Sequence, residues 1–239
     1  MPPTAGTTSG TGVERRKNAQ IDAFLEAAAR TPAPRARAAK GRLIFALDAT
    51  ASRQPTWDQA CEIQGEMFAA TAGLGGLAVQ LAYFRGMAEF QATPWVADSR
   101  ALIDQMAAVG CERGRTQIER VLRHAVEETK RLRVNAVVYV GDSMEEGADG
   151  LKALAGELGL LGVPVFVFHE GDDPLAAETF RHIARLSRGA YLSFDASSAR
   201  LLRDLLAAIA IYAVGGAAAL EDFSRRHGGE ARRLIQLLK

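Results

Sequence analysis

The sequence predicts an α/β fold with a doubly wound, mostly parallel sheet, one short antiparallel edge strand and helices on both faces. Three observations carry this. Apolar runs of strand length recur along the chain, helical apolar spacing fills the intervals, and oxygen-bearing side chains collect where the runs end. A run without polar alternation marks a strand covered on both faces, as the crossover helices of a parallel sheet require.

Residues 1–12 are Pro, Thr, Ser and Gly without an apolar segment, which reads as a disordered N-terminus without a signal peptide. Ile21, Phe24, Leu25 and Ala28 then lie at helical spacing, so residues 13–39 form an amphipathic helix and a Pro-containing basic linker. The main domain spans 40–214. Its first strand, 43–47, ends in Asp48, Thr50 and Ser52, with Pro55 behind them. A helix over 56–74 follows, stopped by Gly73, Gly75 and Gly76.

Residues 77–84 read as the second strand, 86–91 as the antiparallel edge and 98–109 as a brief helix. Thr116 opens a helix whose apolar face is Ile118, Val121, Leu122, Ala125 and Val126. Strand 134–140 ends in Gly141, Asp142 and Ser143, and a helix over 145–161 follows. Strand 163–168 leads to a helix over 175–186 that Asp173 caps, with Pro174 at its first position. A strand over 190–194 and a helix over 198–214 complete the domain. Residues 215–239 read as a basic, amphipathic tail.

Composition narrows the function. The chain of 239 residues is 48% hydrophobic, enough for a core, and its 29 Lys and Arg against 28 Asp and Glu leave a net charge of +1. No chain-wide field draws it to nucleic acid or a membrane surface. The arginines of the tail lack interleaved aromatics, and no apolar run approaches the roughly 18 residues of a membrane span. Cys61 and Cys111 make no disulfide framework, so a reducing compartment and a cytoplasmic location are expected. His124 falls among the charged residues of its helix, and His182 and His227 have no partner at ligand spacing, which argues against Zn²⁺.

Three loops fall on one edge of such a sheet: 48–52, 114–116 and 141–143. They offer the carboxylates of Asp48 and Asp142 and the hydroxyls of Thr50, Ser52, Thr116 and Ser143. Ligands of open α/β sheets bind outside the carboxyl ends of the strands. An all-oxygen donor set suits a hard cation such as Mg²⁺, which keeps waters and needs few carboxylates. Each piece also has a purely structural explanation. Thr116 with Glu119, and Ser143 with Glu146, fit helix capping boxes; Asp48 and Asp142 fit strand-end turns; Glu145 and Glu146 fit first-turn acids that favour a helix dipole. His169, Glu170, Asp172 and Asp173 either border the site or form a polar turn.

The order Asp48-x-Thr50-x-Ser52 after the first strand, Thr116 at a middle helix and Asp142 after the next strand resembles the metal-ion-dependent adhesion site of von Willebrand factor type A (VWA) domains. The resemblance covers residues 40–214 and implies a Rossmann-like VWA fold of an intracellular, bacterial type. It implies that Asp48, Thr50, Ser52, Thr116 and Asp142 hold Mg²⁺ or Mn²⁺ directly or through water, and that no residue is catalytic. Arg115, Ser143, Glu145 and His169 would rim the partner site. Two departures stand out: Thr50 replaces the family's usual Ser, and Arg115 its frequent Gly.

The implied function is capture of a partner protein whose Asp or Glu completes the metal's coordination, in a multiprotein assembly with an AAA+ ATPase as one candidate component. A Mg²⁺-dependent phosphoryl-transfer hydrolase is the enzymatic alternative. It is disfavoured because Thr50 stands where the haloacid dehalogenase pattern has a second Asp, and no Gly-rich phosphate loop follows the first strand. A metal-free scaffold is the third reading.

Overall fold

The computed structural model describes residues 41–53, 76–194 and 199–226. The expected N-terminal segments up to residue 39, the helix over 56–74 with Cys61, and the end of the tail lie outside them. The strands are β1 (Gly41–Asp48), β2 (Leu77–Arg85), β3 (Glu89–Ala92), β4 (Ala136–Gly141), β5 (Val165–Glu170) and β6 (Tyr191–Phe194). They form one sheet in the order β3-β2-β1-β4-β5-β6. All pairings are parallel except that of β3 with β2, the predicted antiparallel edge.

The helices are α1 (Ser99–Ala107), α2 (Ile118–Arg131), α3 (Ala148–Leu161), α4 (Pro174–Leu186) and α5 (Ala199–Arg226). Alternation along the central strand explains why both faces are covered. Leu43, Phe45 and Leu47 point to one side, where Leu102 and Met106 of α1 and Leu205, Ile209 and Tyr212 of α5 pack. Ile44 and Ala46 point to the other, against Val121 and Leu122 of α2, Leu151 and Leu158 of α3 and Phe180 and Ile183 of α4. Each large side chain buried this way contributes about 1.5–3 kcal/mol.

From β1 the chain builds outward on one side through β2 and returns to the other side at β4. The strand order thus reverses between β1 and β4, the kind of place at which open α/β sheets bind ligands outside their carboxyl ends. Asp48 is the last residue of β1 and Asp142 follows the last residue of β4, which places both at that switch point.

Two elements depart from the sequence reading. The helix expected from residue 145 begins at Ala148, because Glu145 and Glu146 are engaged elsewhere. The helix expected to stop at 214 resumes beyond a break at Gly216, where φ is 68°, a left-handed conformation that favours glycine. Beyond the break, Leu220 packs back on Ala208 and Ile211, so this part of the tail is folded against α5.

A polar link joins α2 to the outer strands. Gln80 donates its amide N–H to the Thr93 carbonyl at 3.0 Å, which leaves its oxygen to accept from His124 Nε2 at 2.8 Å. His124 is therefore protonated on Nε2 and also packs on Phe90. Burial pushes its pKa below the ordinary 6.5, although Glu128 and Glu127 pull it up and Arg131 pushes it down. A base with a depressed native pKa contributes full stability above its unfolded value, and loses it as pH falls below about 6.5. The melting temperature is expected to fall as pH drops from 7 toward 5.5, and His124→Gln, which keeps an amide donor, should flatten that fall. Equal slopes for the two proteins would remove His124 from the account.

Candidate metal site

The central strand ends in a carboxylate almost cut off from water. Asp48 is 1% exposed. Its Oδ1 accepts the Thr50 N–H at 2.7 Å, a local turn that leads the chain off the sheet. Its Oδ2 is buried and has no hydrogen-bond partner among the described residues. Burial pushes the Asp48 pKa up to about 6, against the hydrogen bonds from the Thr50 hydroxyl and N–H, and the charge of Asp142 pushes the same way. Thr50 Oγ1 and Ser52 Oγ lie 3.2 Å apart in the same loop.

The second loop is hydrogen-bonded to the first, with the Glu112 N–H donating to the Ala49 carbonyl at 3.0 Å. It also leans on the β2-β3 turn, where the Arg115 N–H donates to the Gly86 carbonyl at 3.0 Å. Gly114 lies so close to that turn that a Cβ would sit 1.9 Å from the Gly86 oxygen, so only glycine fits. This seats Thr116, whose hydroxyl accepts the Glu145 N–H at 3.0 Å while its own N–H donates to Glu145 Oε2 at 3.3 Å. The Glu146 carboxylate accepts the Ile118 and Glu119 N–H groups at 2.6 and 2.8 Å.

Neither capping box read from the sequence forms. Helix α2 is capped from the third loop instead, because Gln117 at its N-cap makes no side-chain cap of its own. Ser143 Oγ lies 3.5 Å from Asp142 Oδ1 rather than at a helix start.

Asp142 is held through its backbone. Its carbonyl accepts from His169 Nε2 at 3.2 Å, and a carbonyl only accepts, so that nitrogen carries the proton. His169 Nδ1 then accepts the Tyr191 hydroxyl at 2.9 Å. His169 is 1% exposed, packs edge-on against Phe180, and burial pushes its pKa down. It positions the third loop and presents nothing to a partner. Arg115 and Glu145, by contrast, are exposed.

Two neighbours escaped the sequence reading. Arg53, in the short helical turn after Ser52, is 3% exposed and pairs with the Glu170 carboxylate. Burial weighs against its charge, while Asp142 and Asp48 favour it. The only signal was its place directly after Asp48-x-Thr50-x-Ser52, and arginines are rarely buried. Tyr139 of β4 is fully buried, its hydroxyl without a partner among the described residues, and Asp48 and Asp142 both act on it. A tyrosine inside an otherwise apolar strand was the available clue.

Among the described residues no three His, Cys, Asp or Glu side chains gather as a metal-binding group. Any site here therefore rests on two carboxylates plus hydroxyls. That set fits a hard divalent cation in kind: Asp48 has a buried oxygen without a donor among the described residues, and Thr50, Ser52 and Thr116 offer hydroxyl oxygens on two loops bonded through Ala49 and Glu112.

No protein-family model matches the sequence, and no curated protein does. Solved structures do match. The VWA domain of SpRpn10 superimposes with a TM-score of 0.58 at 14% identity, over 70% of this chain and 94% of that domain. A von Willebrand factor type A protein from Catenulispora acidiphila gives 0.55 at 14%, over 71% of this chain and 42% of that one. Proximal thread matrix protein 1 from the mussel byssus gives 0.54 at 16%, over 71% and 45%. The chain thus spans less than half of the latter two. Similarity at this identity establishes the fold, which is that of a VWA domain.

The close approach at Gly114 can be checked directly. Gly114→Ala should lower stability by about 1–3 kcal/mol in chemical denaturation, the usual cost of overpacking. Gly147→Ala, at a position with φ of −65° and no atom within 4 Å, should leave it unchanged or slightly raised.

Proposed function

We propose that this chain is a protein-binding module which holds Mg²⁺ or Mn²⁺ among Asp48, Thr50, Ser52, Thr116 and Asp142 and captures an acidic residue of a partner. The observation that carries the reading is the buried, donorless Oδ2 of Asp48 at the switch point of the sheet. A carboxylate taken out of water is costly to keep charged, and burial raises the Asp48 pKa although Thr50 and the charge of Arg53 pull it down. A bound divalent ion supplies further positive charge and, with two carboxylates and neutral hydroxyls around it, stays attractive to an incoming carboxylate.

The residues of the chain do the rest. Asp48 and Asp142 provide the two negative charges, and the hydroxyls of Thr50, Ser52 and Thr116 add oxygens without adding charge. The Thr116–Glu145 clasp and the His169 hydrogen bond keep the second and third loops in place before anything binds. Exposed Arg115 beside Thr116 offers a cation to an acidic partner. Binding rather than turnover is favoured because Thr50 stands where a phosphoryl-transfer site of this kind needs a second carboxylate. The VWA fold of the neighbours accords with an interaction module, and among the described residues no helix is long and apolar enough to cross a membrane.

Thermal melts of chelator-treated protein with and without millimolar Mg²⁺ or Mn²⁺ test the reading. A ligand bound only by the native state at about 100 times its Kd stabilises by about 2.7 kcal/mol, a shift of several degrees for a domain of this size. Asp142→Ala and Asp48→Asn should abolish the shift. Asp48→Asn should also melt at or above the parent in chelator, because it removes a buried charge. Partner capture from a lysate should need the metal and both aspartates. A parent protein indifferent to either metal would overturn the reading.

A further inference from the structure

The crevice already contains a cation. Arg53 follows the last candidate ligand of the first loop, its side chain is 3% exposed, and its guanidinium is ion-paired to Glu170. Guanidinium does not lose its proton in proteins, so this charge is permanent. It lies within electrostatic reach of Asp48 and Asp142, with Tyr139 and Cys111 also near it. Glu170 is 19% exposed at its side chain and ends β5, next to the His169 that holds Asp142. Asp48, Asp142 and Glu170 therefore all act on one fixed positive charge.

We infer that Arg53 is the site's resident counter-ion and sets its affinity for divalent metal, with Glu170 determining how much of that charge Asp48 and Asp142 receive. This rests on the metal-binding reading above. While Glu170 holds the guanidinium, the aspartates keep their negative charge for the incoming ion. If Glu170 is neutralised, more of the guanidinium's charge falls on Asp48 and Asp142, and a divalent cation must enter against a more positive neighbour. At the short separations of a shared crevice, one unit charge acting on a doubly charged ion changes its binding about tenfold or more, even with an effective dielectric constant well above that of dry protein.

The feature also explains how buried Asp48 is tolerated beside partly exposed Asp142 before metal arrives. Arg53 supplies part of the missing charge from below the loop, while Asp48 Oδ2 stays without a hydrogen bond. The arrangement is a competition between a tethered cation and a free one. Its outcome is tuned by a residue, Glu170, that is not itself in the candidate ligand set.

Calorimetric titration of Mg²⁺ and Mn²⁺ into the full chain tests this, using the parent, Arg53→Met, Glu170→Gln and Asp142→Ala. Arg53→Met should bind about tenfold more tightly than the parent and Glu170→Gln about tenfold more weakly, with Asp142→Ala showing no binding. Should Arg53→Met fail to fold, Glu170→Gln still decides, because its side chain is partly exposed and the substitution keeps its shape. Parent-like affinity in the Arg53 and Glu170 variants, alongside loss in Asp142→Ala, would overturn the role of Arg53 and leave the metal site standing. No binding by the parent or any variant would remove the metal site itself.

Discussion

A carboxylate buried at the end of a central strand must be balanced, because the interior solvates charge poorly and water cannot reach it. Asp48 faces this constraint at 1% exposure, with one oxygen bound to the Thr50 N–H and the other without a donor. The surrounding architecture answers it in three ways. A turn donates a backbone N–H, buried Arg53 acts on Asp48 electrostatically, and the hydroxyls of Thr50 and Ser52 share its loop. The same burial that supports β1 between two helical layers is what raises the Asp48 pKa at its end.

The loops are not independent. The first bonds to the second through Ala49 and Glu112, the second to the third through Thr116 and Glu145, the third to β5 through His169, and β5 back to the first through Glu170 and Arg53. A closed circuit of this kind holds oxygen atoms in place without a metal, so less ordering accompanies binding. It also couples them, since a change at Gly114 or Glu145 reaches Thr116 and Asp142 through hydrogen bonds rather than through the sheet. Acids that cap a helix from another loop serve two purposes: Glu146 satisfies the start of α2 and holds the third loop against the second.

Among the described residues, the charges at this end of the sheet are mostly negative. Two aspartates and Glu170 face buried Arg53, and Arg115 is exposed. A site more negative than this would bind metal strongly but offer little attraction to an acidic partner. One less negative would hold no divalent ion. Under the proposed metal reading, the position of Arg53 and not only the identity of the ligands sets where between these limits the protein falls.

Strand runs, the antiparallel edge, the Asp173 cap and the grouping of Asp48, Thr50 and Ser52 were legible in the sequence, because each is a local property of residues within a few positions of one another. Helix starts at 116 and 145 were misplaced for the opposite reason: Thr116 and Glu145 satisfy one another across 29 residues, a choice no local pattern records. His169 read as a loop residue at the rim, yet burial against Phe180 and Tyr191 makes it a support for Asp142. Sequence by itself determined which residues end the strands, since apolar periodicity and turn chemistry act along the chain. Tertiary structure alone decided that Arg53 is buried beside those residues, because which charges share a crevice depends on which loops the sheet order brings together.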